Sequence, residues 1–76
     1  MEKEYLAIAL TNYGWQQELP DTFISKSGAV SITLGAAFAT IHVHGNVHSS
    51  ALYMECAVNR QQRTISLGAV EIKAQN

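Results

Sequence analysis

Three histidines stand close together in this 76-residue chain, as His42-x-His44-x3-His48. No other string here combines residue types and spacing suited to a metal ion, for which neutral imidazole is a common ligand. Along a β-strand, residues two apart point to the same side. His42 and His44 are therefore the candidate metal-ligating pair, and a third ligand depends on where His48 points. Gly45-Asn46 marks a chain reversal, so the segments on either side pair as a hairpin. A two-residue loop at Gly45-Asn46, or a four-residue loop from His44 to Val47, sets Val43 opposite His48. Ala37, Ala39, Ile41 and Val43 then share one apolar layer with Leu52, Met54 and Cys56. A three-residue loop would bring all three histidines to one face, but it would turn Leu52 and Met54 out of that layer. Burying each of those side chains contributes roughly 1.5–3 kcal/mol, and a one-residue slip inverts every side chain. The even loop is therefore expected. It parts His48 from the other two and leaves His42 and His44 on the polar face beside Phe38 and Tyr53.

The His-x-His pair resembles part of the first motif of the cupin family, Gly-x5-His-x-His-x3/4-Glu-x6-Gly. Here the string reads Gly35-x6-His42-x-His44-x3-His48, so the first spacing is one residue longer and a histidine replaces the glutamate. No glycine follows at the motif's distance, and no membership is drawn from the pair.

A second constellation is Asn59-Arg60-Gln61-Gln62-Arg63-Thr64. Pairing Val58 with Ile65 and Cys56 with Leu67 keeps both apolar rows together and leaves Arg60 to Arg63 as a hairpin loop. Two guanidiniums with Gln61 and Gln62 between them can grip phosphates or read a groove. Only Lys3, Lys26 and Lys73 remain to build a basic surface, and nucleic-acid affinity rests on several phosphate contacts at once. A protein partner is therefore expected for this tip. Tyr13, Trp15 and Phe23 fall in or beside the connection from 12 to 28, and tryptophan and tyrosine recur at binding hot spots. The competing role for Trp15 is to fold back and plug an open end of the sheet.

Nothing else has catalytic spacing. Ser49 and Ser50 follow His48, but neighbours on a strand point to opposite faces. Glu18 and Asp21 sit three apart in a turn, where capping is the ordinary role. There is no phosphate loop and no paired-carboxylate motif, so no enzyme and no cofactor is expected. Cys56 is the single cysteine. It has apolar neighbours in Met54, Ala57 and Val58, reads as a small buried hydrophobe, and cannot form a disulfide within one chain.

The elements that must position these groups show mostly a period of two. Leu6-Ile8-Leu10, Val30-Ile32-Leu34, Ala37-Ala39-Ile41-Val43, Leu52-Met54-Cys56-Val58 and Ile65-Leu67 each fall on alternate positions. Strands with one buried face are expected. The apolar phase shifts at Gly35 and at Gly68, where a bulge or sharp bend is expected. Residues 12 to 28 read as a long connection holding a short edge strand at Phe23-Ile24. The expected fold is all-β, a small antiparallel barrel or curled sheet of five to six strands. The alternative is a β-rich α+β domain with one short helix, for which the alanines between Gly35 and Thr40 are the candidate.

Composition bounds the rest. Apolar residues make up 47% of the chain, charged residues 14%, and the net charge is −1. Those values exclude a disordered chain, a basic nucleic-acid clamp and an acidic tail. Residues 1–76 fit one domain. No apolar run approaches the roughly 20 residues of a membrane span, and no export signal is visible, so a cytoplasmic location is expected. A chain this short buries little core, which favours a homo-oligomer. The leading expectation is a non-enzymatic protein-binding module, of the kind small bacterial or phage accessory proteins use to block or adapt a larger partner. The other candidates are a metal-binding β-domain using His42 and His44, a nucleic-acid binder using the Arg60–Arg63 tip, and a structural subunit of a larger assembly.

Overall fold

The computed structural model covers Met1–Asn76. It is mostly β, with two antiparallel sheets, one α-helix and no closed barrel. The helix α1 spans Lys3–Asn12. The first sheet takes β1 (Gln16–Leu19), β2 (Thr22–Ile24), β3 (Val30–Leu34), β4 (Phe38–Val43) and β5 (Asn46–Leu52), paired in that order. A 3-10 turn at Tyr53–Glu55 leads to the second sheet, made of β6 (Cys56–Asn59), β7 (Thr64–Leu67) and β8 (Val70–Lys73). Short connections between consecutive antiparallel strands make both sheets simple meanders. Eight strands replace the expected five to six, and they form two sheets instead of a barrel.

The first correction is at the N-terminal segment, where the expected strand is helical. Leu6 and Leu10 are four apart, which is two strand repeats and also one helical turn. The residue that separates the two readings is Ile8, and it is 59% exposed while Leu6, Ala9 and Leu10 are buried. That spacing is the inner stripe of a helix. Alanine, leucine, lysine and glutamate favour the helix locally, and Glu4 lies in its first turn, at the positive end of the dipole. The helix stops at a Schellman cap. The Trp15 amide donates to the Leu10 carbonyl (3.0 Å), and the Gly14 amide donates to the Thr11 carbonyl (3.1 Å). Gly14 sits at φ +83°, and a Cβ there would meet the Asn76 backbone nitrogen at 3.1 Å. Only glycine meets both conditions cheaply. The cap drives Trp15 into the core.

The connection from 12 to 28 folds on itself. Its β1–β2 hairpin turns at Pro20-Asp21, and Phe23 lies in a strand as expected. That strand is an interior one, because β1 takes the edge. The expected sharp bends at Gly35 and Gly68 are hairpin turns: Leu34 pairs with Ala39 across the first, and Leu67 pairs with Val70 across the second. The alanines at 36 and 37 form no helix. Inward rows from both sheets, Phe23, Ile32, Leu34, Ile41, Ile65 and Leu67 among them, pack with α1 into one cluster of 14 buried residues.

The β4–β5 hairpin departs from the expected register. Its loop is His44-Gly45, with both residues at positive φ (51° and 81°), the pattern of a type I′ turn. Ala39 pairs with Ala51 and Phe38 with Leu52. Leu52 and Met54 are therefore outside the core, Met54 at 82% exposure. The expectation assumed one continuous strand from Leu52 to Val58. The 3-10 turn breaks it, and Cys56 is buried in the other sheet. The inner position falls to Ala51, where the two sheets come close: a Cβ on Gly68 would lie 3.3 Å from the Ala51 Cβ. A leucine would not fit there.

The helical assignment has a direct check. Leu10→Ala should lower unfolding free energy by about 2–5 kcal/mol, while Ile8→Ala should change it by less than about 0.5 kcal/mol. Urea titrations followed by circular dichroism would measure both; equal losses would restore the strand.

Candidate functional site

The three histidines do not converge. His42 is on the outward side of β4, across from Val47. His44 lies in the turn, off the strand, so it does not share a strand face with His42. His48 is the extra residue of a β-bulge, because Ile41 pairs with Ser49 and His42 with Val47. No cluster of three histidine, cysteine, aspartate or glutamate side chains suited to a metal forms anywhere in the chain. The triad is broken as expected, but the bulge and the turn break it, not the expected loop.

The aromatic residues divide. Trp15 is 4% exposed and Phe23 is 1% exposed. Trp15 takes the plugging role, with its indole N–H donating to the Lys73 carbonyl at 3.1 Å. Neither offers a contact surface. Tyr13 stays at the surface edge, its ring 5.3 Å beneath the Arg63 guanidinium. That distance is within the range of a cation–π contact.

The arginine tip is built as expected. Val58 pairs with Ile65, Cys56 with Leu67, and Asn59 with Thr64, leaving Arg60–Arg63 as the loop. The Asn59 side-chain carbonyl accepts from the Gln62 amide at 3.0 Å and shapes the turn. The tip leans on the outer face of α1. Arg60 donates to the Tyr5 hydroxyl at 3.4 Å. Between them lies a cleft of about 410 Å³, with Tyr5, Ile8 and Tyr13 on the helix side, Val58 on the sheet side, and Arg60 and Arg63 at the wall. Tyr5 and Ile8 are exposed apolar residues. Neither arginine pairs with an Asp or Glu side chain, since the one such ion pair is Lys3–Asp21 at 3.4 Å, and Arg63 Nη2 donates instead to the main-chain and side-chain oxygens of Asn76. Sequence reasoning missed Tyr5, Ile8 and Asn12. Their three- and four-residue spacing is a second helical stripe, hidden once the segment was read as extended.

Two groups have displaced acidities. Burial pushes the Cys56 thiol up, with Glu55 adding to it and the N-terminal ammonium opposing. Burial also raises the Tyr53 phenol, helped by Asp21, Cys56 and Glu4. The Tyr53 hydroxyl donates to the Gly35 carbonyl at 2.5 Å. A thiol held protonated is a poor nucleophile, and neither group lines the cleft.

No family model, no curated protein and no solved structure matches the chain.

Both displaced groups make stability fall in alkali. The unfolded chain releases these protons at the ordinary values of 9.0 and 10.0, before the folded protein does. Their contribution is complete below about pH 9 and declines as pH rises past it. Urea midpoints should be level from about pH 7 to 9 and fall above. Cys56→Ala should delay the onset toward the Tyr53 range; an unchanged onset would count against a buried thiol.

Proposed function

We propose that the protein is a non-enzymatic binding module that docks a larger protein through the cleft between α1 and the Arg60–Arg63 tip. The partner segment presents an apolar side chain next to a carboxylate. One observation carries this reading: two arginines, neither paired with an Asp or Glu side chain, stand at the wall of an exposed pocket floored by tyrosine and isoleucine. Arginine and tyrosine are the residue types that dominate binding hot spots, and a guanidinium matches a carboxylate in two-point geometry. Gln61 and Gln62 extend the polar rim of the same loop. With a net charge of −1 and Lys3 paired with Asp21, little basic surface remains for nucleic acid. A small accessory protein that blocks or adapts its target fits such a surface.

Affinity capture from host lysate, run in parallel with surface variants, tests the reading. Arg60→Ala and Tyr5→Ala should each cut recovery of the captured partner about tenfold or more, whereas His44→Ala should not. Retention of the partner by both cleft variants would remove the proposal. Trp15→Ala is not a surface probe, because it should destabilise the fold by about 3–5 kcal/mol.

Self-association is a second reading, favoured by the other exposed apolar group. Phe38 and Leu52 pair on the outward face of the large sheet, with Val47 exposed on the same strand as Leu52. Sedimentation across a dilution series should show a dimer that Leu52→Lys shifts to monomer; a wild-type monomer at every concentration would exclude it.

A further inference from the structure

The cleft between α1 and the hairpin tip brings together three kinds of chemistry. Its floor is apolar, with Tyr5, Ile8 and Ala9 of α1 on one side and Val58 of β6 on the other. Its wall carries Arg60, whose Nη2 donates to the Tyr5 hydroxyl at 3.4 Å. No Asp or Glu side chain pairs with Arg60, and its Nε and Nη1 enter no hydrogen bond within the chain. Arg63 differs, because Asn76 already meets its guanidinium with two oxygens. Arg60 is therefore the cation with donors left over. The third group is Asn12, which also lines the cleft. Its backbone oxygen accepts from the Asn76 side chain at 3.0 Å, while its own side-chain amide has no partner.

A cleft of about 410 Å³ is near the small end of ligand pockets, which run about 300–1,000 Å³. Floor, cation and amide therefore act on one short stretch of a partner. The contact of Arg60 with Tyr5 sets the cation at the edge of the apolar floor. An internal strand segment fits this poorly. Neighbouring side chains point to opposite faces, so an apolar residue in the floor turns the next carboxylate away. An internal helix fits it poorly too, because its peptide groups bond one another and leave the Asn12 amide nothing to meet. The last residue of a chain satisfies all three groups at once. Its side chain, its α-carboxylate and the peptide bond before it radiate from one Cα.

We propose that the cleft captures the C-terminus of a partner protein that ends in an apolar residue. The terminal side chain lies on the floor between Tyr5 and Val58, and the terminal carboxylate accepts from Arg60 in a charge-assisted bond. The Asn12 amide, at once donor and acceptor, bonds the peptide group before the terminal residue. This inference rests on the docking role given to the cleft, and it narrows the partner's carboxylate from any acidic side chain to the chain terminus.

Isotope-labelled protein titrated with three peptides tests it by NMR. The first is acetyl-Ala-Ala-Phe as the free acid, the second is the same peptide as its C-terminal amide, and the third is acetyl-Ala-Phe-Asp amide, whose carboxylate is internal. The free acid should give saturable shifts at the Ile8, Ala9, Asn12 and Val58 amides and at Arg60 Nε, and none at His44. Amidation should weaken binding about tenfold or more, and so should moving the carboxylate inward. Arg60→Gln should bring the free acid down to the level of the amide and leave the amide unchanged. Asn12→Ala should weaken acid and amide alike, by about threefold. Equal binding of acid and amide, or free-acid binding indifferent to Arg60→Gln, would overturn the inference. Tightest binding by the internal-carboxylate peptide would overturn it and leave the docking role of the cleft standing. No saturable shift from any of the three up to about 10 mM would remove both.

Discussion

A 76-residue chain that builds two separate sheets leaves its core open on one side, and the helix α1 closes it. Leu6 and Leu10 are completely buried, and burying each contributes about 1.5–3 kcal/mol. In a domain whose net stability is a small difference between large quantities, that is a large share. The Gly14 cap makes this closure work. It ends the helix at the one backbone conformation that sends Trp15 back under Leu10, and it leaves room for Asn76 against the turn. Without that reversal, the largest side chain of the protein would have no place in the core.

The candidate site follows from the same closure. A helix that commits Leu6, Ala9 and Leu10 inward presents Tyr5, Ile8 and Asn12 outward. The Arg60–Arg63 tip meets that face where Val58 of β6 and both arginines line one cleft with Tyr5 and Ile8, and Arg60 donates to the Tyr5 hydroxyl. Tyr13, the C-cap residue of the helix, carries Arg63 over its ring. The arginines are therefore held by contacts to a hydroxyl, a ring and the oxygens of Asn76, and by no Asp or Glu side chain. These contacts fix both guanidiniums at the wall of the cleft.

The division into two sheets also decides the fate of the histidines. Once the chain leaves β5 at Leu52, that strand needs only Ala51 toward the core, opposite Gly68. The rest of the hairpin is free to turn tightly at His44-Gly45 and to bulge at His48. Both are local backbone solutions at the rim of the sheet, and together they scatter three imidazoles that lie within seven positions of one another.

What the sequence determined by itself is local and pairwise. Alternation marked the strands from Val30 to Leu34 and from Ile65 to Leu67. The match of two apolar rows set the register of Val58 with Ile65 and exposed the arginine loop, because a slip there would invert both rows at once. Glycines at 35 and 68 marked real turns. What only the tertiary structure decided are the places where one pattern satisfies two periods or where a partner surface chooses. Leu6 and Leu10 fit a strand and a helix equally, and the open side of the core selected the helix. Leu52 and Met54 look like core residues until the 3-10 turn at Tyr53–Glu55 breaks the strand and Ala51, close to Gly68, takes the inner position. Burial is a property of the assembled surfaces, so spacing along the chain can propose a buried face, but the neighbouring sheet has to accept it.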